Sequence, residues 1–341
     1  MKILLLSHYF HPSIGGIELI SNILAEALTD SGHEVRVMTW SLDPEKTKFR
    51  FEVVRNPSFL TLIKEHVWAD MVFENNICIR LGWPRLLFRK PVVIGLQTWL
   101  GSQTNEANYQ WKIKRKWLGS ARKVVACSKM IKDDCWPDAQ IIRNPYQEDV
   151  FKIMPQIDKN LDFVFLGRLV SDKGADLAIQ AFKKVAYDFK ERDIFLTIVG
   201  DGLEMNNLKK MVTDYDLNHL VTFKGSLQGS ELAECLNQHK SLLVPSRWKE
   251  PFGIVALEGM ACGCIPIVSD GGGLPFAIGN GGLTFSRNNV DDLANKMSML
   301  LTNIPLTAKL KQEMPAQIKI HSSKEISAQY ISLFEAVMKA H

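Results

Sequence analysis

Lys2-Ile3-Leu4-Leu5-Leu6-Ser7 opens the chain as an apolar run bounded by polar residues. A continuous run of this length suits a strand buried on both faces, as in a parallel sheet. It leads into a turn containing Pro12, Gly15 and Gly16. From Glu18 to Ser31 the apolar spacing becomes helical, with Ile20, Ile23, Leu24, Ala27 and Leu28 on one face. Gly32 can close that helix in the left-handed conformation, and residues 35–40 form the next apolar run. Strand, glycine turn, helix and strand in this order make a β-α-β unit of the dinucleotide-binding type.

The alternation continues. Apolar runs at 71–73, 91–96, 123–126 and 140–142 are spaced for a doubly wound sheet. Pro145 and the polar stretch through Pro155 to Asn160 read as a linker. A second alternation follows, with strands expected at 162–167, 195–199, 221–223, 241–244 and 264–268. Helices are expected at 176–186, 204–215, 230–238, after Pro251, at 290–301 and at 325–340. The last places Ile326, Tyr330, Phe334 and Val337 on one side. A chain of 341 residues is too long for one ordinary core. The expectation is an α/β fold of two doubly wound, Rossmann-like domains facing a central cleft. Residues 1–155 and 156–322 would form these domains, with the helix of 323–341 packing back toward the first.

Composition narrows the partners. Hydrophobic residues at 46% and charged residues at 23% fit a globular protein. The net charge of +4 falls within residues 1–150, while the remainder balances to zero. That excess is too weak for nucleic acid and suits an anionic small molecule or lipid surface. The first apolar run is shorter than a signal-peptide core, and no later run reaches the ~20 residues of a spanning helix. A cytoplasmic location is expected, with peripheral contact at the inner membrane face. The contact would run through the basic segment from Trp111 to Lys123, which holds Lys112, Lys114, Arg115, Lys116 and Trp117. The plainer reading of that segment is a surface helix with Ile113, Trp117 and Leu118 turned inward. The six cysteines form no C-x-x-C pair and read as reduced packing residues.

The richest chemistry lies between Pro245 and Gly263. Pro251 suits the first turn of a helix, which would set the amides of Phe252, Gly253 and Ile254 at a helix N-terminus. Free amides there favour an anion such as a diphosphate. Glu250 and Glu258 lie eight residues apart, about 12 Å if helical at ~1.5 Å per residue. That exceeds the roughly 5–9.5 Å between glycosidase carboxylates, and suits two sugars flanking a diphosphate. Glu258 interrupts an apolar run, so a merely solvated role is unnatural. Asp214-Tyr215-Asp216 imitates an Asp-x-Asp metal motif but reads as a polar helix end, and no carboxylate set has metal-ligand spacing.

Glu-x7-Glu within EPFGIVALEGMACG resembles the signature of the family 4 glycosyltransferases, which have the GT-B fold. Supporting segments occur in the expected order: Gly15-Gly16, Gly167-Arg168-Leu169, Asp172-Lys173-Gly174, Gly200-Asp201-Gly202 and Gly271-Gly272-Gly273-Leu274-Pro275. The resemblance implies that Glu258 holds the donor ribose, Glu250 the transferred sugar, and Arg168 with Lys173 the diphosphate. It places Gly15, Gly16, Gly200, Asp201 and Gly202 near the donor, and closes the 271–273 run over the sugar. It also implies transfer of a hexosyl unit with retention, from a UDP- or GDP-sugar, to a glycan or glycolipid hydroxyl in surface polysaccharide synthesis. No cofactor or metal is required in this reading. The sequence departs from the family where a His is usual near the reacting sugar: Leu96 and Gln97 stand there. Gln97, His8 and His11 are the acceptor-side candidates. A competing reading is a sugar-nucleotide-binding subunit without turnover. A nicotinamide dehydrogenase fits poorly, because the first turn lacks G-x-G-x-x-G.

Overall fold

A computed structural model describes residues 1–13, 15–101 and 109–340. It divides the chain into two compact units, Met1–Pro145 with Ser323–His341, and Tyr146–Ser322. Each is built on one all-parallel sheet.

The first sheet contains β1 (Lys2–Leu6), β2 (Glu34–Thr39), β3 (Glu52–Arg55), β4 (Met71–Asn75), β5 (Val92–Leu96), β6 (Lys123–Ala126) and β7 (Gln140–Ile141). Their order is β3-β2-β1-β4-β5-β6-β7. Ile3, Leu4, Leu5 and Leu6 are fully buried, as a central strand covered on both faces requires. Ser21 hydrogen-bonds Ser7 at 3.0 Å, and Asn75 Nδ2 donates to Ser21 Oγ and to the Ile17 carbonyl. These bonds tie the first helix, Gly16–Asp30, to the ends of β1 and β4. The C-terminal helix Ser323–Lys339 belongs to this unit. It buries Ile326, Tyr330, Phe334 and Val337, and Phe73 of β4 meets the rings of Tyr330 and Phe334 at 5.4 and 5.2 Å.

The basic segment forms the helix Tyr109–Gly119. Trp117 and Leu118 are buried, but Ile113 faces outward, correcting the inward placement of that residue. Trp117 anchors the helix by donating from Nε1 to both oxygens of Glu74, at 3.1 and 2.9 Å. Arg85 Nε lies 2.9 Å from Glu74 Oε1, and its guanidinium stacks 4.1 Å above Trp117. Burial pushes the Glu74 carboxyl up, and the Arg85 charge pulls it back.

The second sheet contains β8 (Leu161–Leu166), β9 (Leu196–Val199), β10 (Val221–Gly225), β11 (His239–Val244), β12 (Ile265–Ser269) and β13 (Leu283–Phe285), in the order β10-β9-β8-β11-β12-β13. Phe163, Phe165, Phe182, Ile198 and Leu243 centre one face of its core. The stretch from Tyr146 to Asn160 is not a free tether, as a linker would be. Tyr146 and Phe151 are buried, and Asn237 holds the backbone of Lys152 and Met154. Lys159 inserts its ammonium among the carbonyls of Leu236, Asn237, His239 and Cys262, at 3.5, 3.1, 3.0 and 2.7 Å. Two of those carbonyls end one helix and a third ends another, so one cation serves both C-termini. All six cysteines are buried and free.

Two buried imidazoles make the fold acid-sensitive. His239 sits between the Cys235 carbonyl and the Thr197 hydroxyl, and His66 meets the Leu62 carbonyl. Burial lowers each pKa from 6.5 to about 4. The unfolded chain takes up these protons first, so their stabilisation is complete above pH 6.5 and is lost as pH falls towards 4, by roughly 3 kcal/mol each. Urea midpoints measured across that window should fall steeply. His239→Gln should roughly halve that fall across the same window.

Candidate functional site

In the second sheet the connections diverge on either side of β8 and β11. The loop after β8 leads by the helix Ala175–Asp188 to β9 on one side. The loop after β11 leads by the helix Ile254–Ala261 to β12 on the other. Open α/β sheets bind ligands at such a switch point, beyond the carboxyl ends of the strands. The first loop carries Arg168 and Lys173, and the second carries Glu250.

The structure joins the two loops. Lys173 Nζ lies 2.5 Å from Glu250 Oε1, with both side chains largely buried. Ser246 Oγ donates to the same oxygen at 2.9 Å and also contacts the Asp172 carbonyl. That carbonyl further accepts the amides of Arg247 and Trp248. Arg247 reaches back in a bidentate pair with Asp176, both bonds at 2.6 Å. Lys173 lies 5.4 Å from the centre of the Trp248 ring. Ser246, Arg247, Trp248 and Asp176 carry no motif of their own, and sequence reasoning missed them. Their place beside Glu250 and Lys173 in the two loops was the available signal, but it does not disclose their contacts.

The helix begins later than expected. Its first residue is Ile254 and its N-cap is Gly253, at φ 113°. Pro251 therefore precedes the helix instead of occupying its first turn. The buried ring of Phe252 packs against Phe276 and His321. The first helical amide paired to the turn is that of Ala256, on the Gly253 carbonyl at 3.1 Å, and Gly253, Ile254 and Val255 precede it at the helix N-terminus. Glu258 stands just over one turn into the helix, and the chain from Glu250 is half loop. A straight 12 Å separation along one axis does not describe it.

The glycine run of 271–273 explains the geometry. Gly273 N donates to the Glu250 carbonyl at 2.6 Å. A Cβ on Gly273 would sit 2.3 Å from the Pro251 carbonyl oxygen, and one on Gly272 would sit 2.2 Å from that of Glu250. The run thus lies directly against the backbone that presents Glu250.

Glu258 is 9% exposed. Among the described residues no hydrogen bond or ion pair reaches its carboxylate. Burial alone raises its pKa from 4.5 to about 7. Arg168 contrasts with it: the side chain is exposed and, among the described residues, has no ion-pair partner. Gly200-Asp201-Gly202 closes on the same loop. Leu169 N donates to the Asp201 carbonyl at 2.8 Å, and a Cβ on Gly200 would meet the Gly167 oxygen at 1.9 Å. The Asp201 carboxylate is exposed and bonds the Gly202 amide. It does not cap the helix Met205–Asp214, whose N-cap is Glu204. Asp214 ends that helix, away from β8 and β11. Among the described residues no group of three or more His, Cys, Asp or Glu could hold a metal ion.

The first unit has its own switch point, between β1 and β4. His8 follows β1 and is half-buried. Burial pushes its imidazole below the ordinary value, against a backbone hydrogen bond at Ile77, with the Arg80 charge lowering it further. His11 is more exposed, its Nδ1 3.8 Å from Asp43 Oδ2. Gly15 is extended, and a Cβ there would meet the Glu18 carboxylate at 2.5 Å. Gly16 starts the first helix. Gln97 is buried beside the Tyr330 hydroxyl, without a well-formed hydrogen bond between them. Its amide faces packing inside the unit.

Residues 147–317, half the chain and nearly all of the second unit, match the family model described as glycosyl transferases group 1. The chain belongs to that family. It is a glycosyltransferase. It is 28% identical over 336 residues to an uncharacterized glycosyltransferase of Methanocaldococcus jannaschii, covering 91% of each. It is 24% identical over 351 residues to the gpi3 subunit of the phosphatidylinositol N-acetylglucosaminyltransferase of Schizosaccharomyces pombe, covering 91% of this chain and 74% of that one. The Anabaena protein HepE, solved with UDP and glucose, superposes with a TM-score of 0.82 at 19% identity, over 98% of this chain and all of that one. The sucrose-phosphate synthase of Thermosynechococcus elongatus does so with a TM-score of 0.80 at 20% identity, over the whole of both chains. The glycosyltransferase has the GT-B type of fold, two parallel-sheet Rossmann-like units.

Two measurements probe this loop. Gly273→Ala should destabilise by about 3 kcal/mol through the clash with Pro251 and Phe252. Gly119→Ala, whose Cβ would touch only Trp136 at 3.7 Å, should stay within about 0.5 kcal/mol. Thermal unfolding of the pair checks this. Glu258 has a raised folded-state pKa, so the native protein holds a proton that the unfolded chain releases. Its carboxyl is tolerated below pH 4.5 and opposes folding increasingly as pH rises to about 7, by up to about 3 kcal/mol. Glu258→Gln should therefore raise Tm at pH 8 and change it little at pH 4.5.

Proposed function

We propose that this glycosyltransferase moves a hexosyl unit from a nucleotide diphosphate sugar, UDP- or GDP-linked, to a hydroxyl acceptor, with retention of anomeric configuration. The setting we assign is surface polysaccharide or glycolipid synthesis. The observation that carries the reading is the Lys173–Glu250 pair at the switch point of the second sheet. It puts a cation for phosphate oxygens and a carboxylate for sugar hydroxyls in direct contact, on two different loops. HepE, with the same fold, has been solved with UDP and glucose and also with UDP-glucose.

In this reading Arg168, exposed and without an ion-pair partner, clamps the diphosphate with Lys173. The amides of Ile254 and Val255 add the partial positive charge of the helix N-terminus. Glu258 receives the ribose hydroxyls, which supply the hydrogen bonds its buried carboxylate lacks. Gly200, Asp201 and Gly202 line the same loop cluster, and Phe252 and Gly253 shape its floor. For the acceptor this reading assigns the turn of His8, His11, Gly15 and Gly16. Gln97, buried beside Tyr330, is the other acceptor-side candidate.

The anomeric C–O bond to the diphosphate breaks as the acceptor oxygen bonds the same carbon on the same face. The acceptor proton passes to the departing phosphate oxygen. Catalysis then rests on positioning and on neutralising the leaving group, without a metal. A second reading, a nucleotide-sugar-binding subunit without turnover, is favoured by one observation. The fission-yeast relative is itself named a subunit.

Thermal shifts with UDP, GDP and ADP identify the base. Glu258→Ala should weaken binding of the stabilising nucleotide by about tenfold or more. Lys173→Met should lower kcat by about 10²–10³, with EDTA leaving the wild-type rate unchanged. Proton NMR of the product should show the donor's anomeric configuration. Full donor affinity in Glu258→Ala would overturn the donor assignment. Tight nucleotide binding without transfer to any hydroxyl, water included, would favour the subunit reading.

A further inference from the structure

The first unit carries an apolar face that nothing in the proposed chemistry uses. The helix Phe59–Trp68 packs beside the short helix Arg85–Phe88. Outward from this pair project Phe59, Leu60, Val67, Leu86 and Leu87, between 54% and 77% exposed. Phe59 is held in place by stacking on Trp83, 5.6 Å between ring centres. Scattered single hydrophobics on a surface need no explanation, but five large ones on two touching helices do.

The charges on the border of the patch itself are basic, while the exposed Asp70, two residues beyond the helix, accepts the Lys2 amide. Lys64, Arg89 and Lys90 border the patch, and Lys90 reaches across to the Val67 carbonyl. The Phe59–Trp68 helix has a single acid, Glu65, buried against Arg36. Residues 79–90 contain no acid at all. A second copy of the chain docking here by a two-fold contact would set these cations against themselves. The side chains form a projecting face, with cations at its border, which matches an acyl boundary beneath anionic headgroups. The helix Tyr109–Gly119, where the sequence suggested membrane contact, is less suited. It exposes only Tyr109 and Ile113 among its large apolar residues, and Lys114 is engaged with the Leu100 carbonyl.

We infer that the face formed by Phe59, Leu60, Val67, Leu86 and Leu87, with Lys64, Arg89 and Lys90, seats the protein on an anionic lipid surface. The test is flotation of the full chain with vesicles of phosphatidylcholine alone, or mixed equally with phosphatidylglycerol. Binding should require the anionic lipid and weaken with salt. Leu86→Ser/Leu87→Ser and Lys64→Glu/Arg89→Glu should each reduce it by about tenfold or more, with melting temperature and nucleotide-induced shift unchanged. Lys112→Glu/Lys116→Glu on the other helix should bind as wild type. Three results would overturn the inference: no binding to either vesicle, binding by both patch variants equal to that of the wild type, or loss only in the Lys112/Lys116 variant. Dissociation of a wild-type dimer by Leu86→Ser/Leu87→Ser, seen by light scattering, would assign the face to a second copy instead.

Discussion

The donor loop depends on how closely two backbones approach. Residues 272 and 273 lie so near the peptide groups of Glu250 and Pro251 that no side chain fits between them. The hydrogen bond from Gly273 N to the Glu250 carbonyl fixes that approach. Glu250 is thereby aimed at Lys173, and the left-handed Gly253 can turn the chain into the helix that carries Glu258. A glycine run that reads in sequence as a flexible cover is here a rigid support. Its third face is Leu274, which packs where a Gly253 side chain would otherwise stand.

Stability and chemistry pull apart at Glu258. The helix around it is apolar on nearly every side, with Ala256, Leu257, Gly259, Met260 and Ala261 all buried. A carboxyl in that position gains nothing from its neighbours and is held partly neutral near pH 7. Fold physics alone would place Leu or Met there. Residues that oppose folding without compensation mark sites kept for another purpose. The paired groups Lys173, Ser246 and Glu250 are the opposite case, since each satisfies the others before any ligand arrives.

Most strands were legible because parallel sheets demand continuous apolar runs, and the chain supplies them at β1, β5, β8 and β11. Two edge strands were not. Glu52-Val53-Val54-Arg55 is short and charged at both ends, and Leu283–Phe285 has three residues. An edge needs little burial, so its sequence carries little pattern. The helix Ile304–Lys319 was hidden by its prolines. Pro305 sits in the first turn, where it is harmless, while Pro315 lies within the helix. At the site, motif residues were readable one by one, but their contacts were not. Neither the Lys173–Glu250 pair nor the Ser246 bond follows from spacing, because two loops separated by 77 residues meet only through the strand order. The position of Gln97 was equally hidden, since its neighbour Tyr330 lies on the last helix.

Lys159 has a consequence beyond tethering residues 146–160. Four carbonyl oxygens converging on one site form the kind of cage that elsewhere holds a dehydrated potassium or sodium ion. Here the polypeptide supplies the occupant covalently. The negative pole of the helix Ile254–Ala261 is therefore compensated by a charge that cannot diffuse away. The charge that meets those carbonyls is fixed by the chain itself and does not depend on which alkali salt surrounds it.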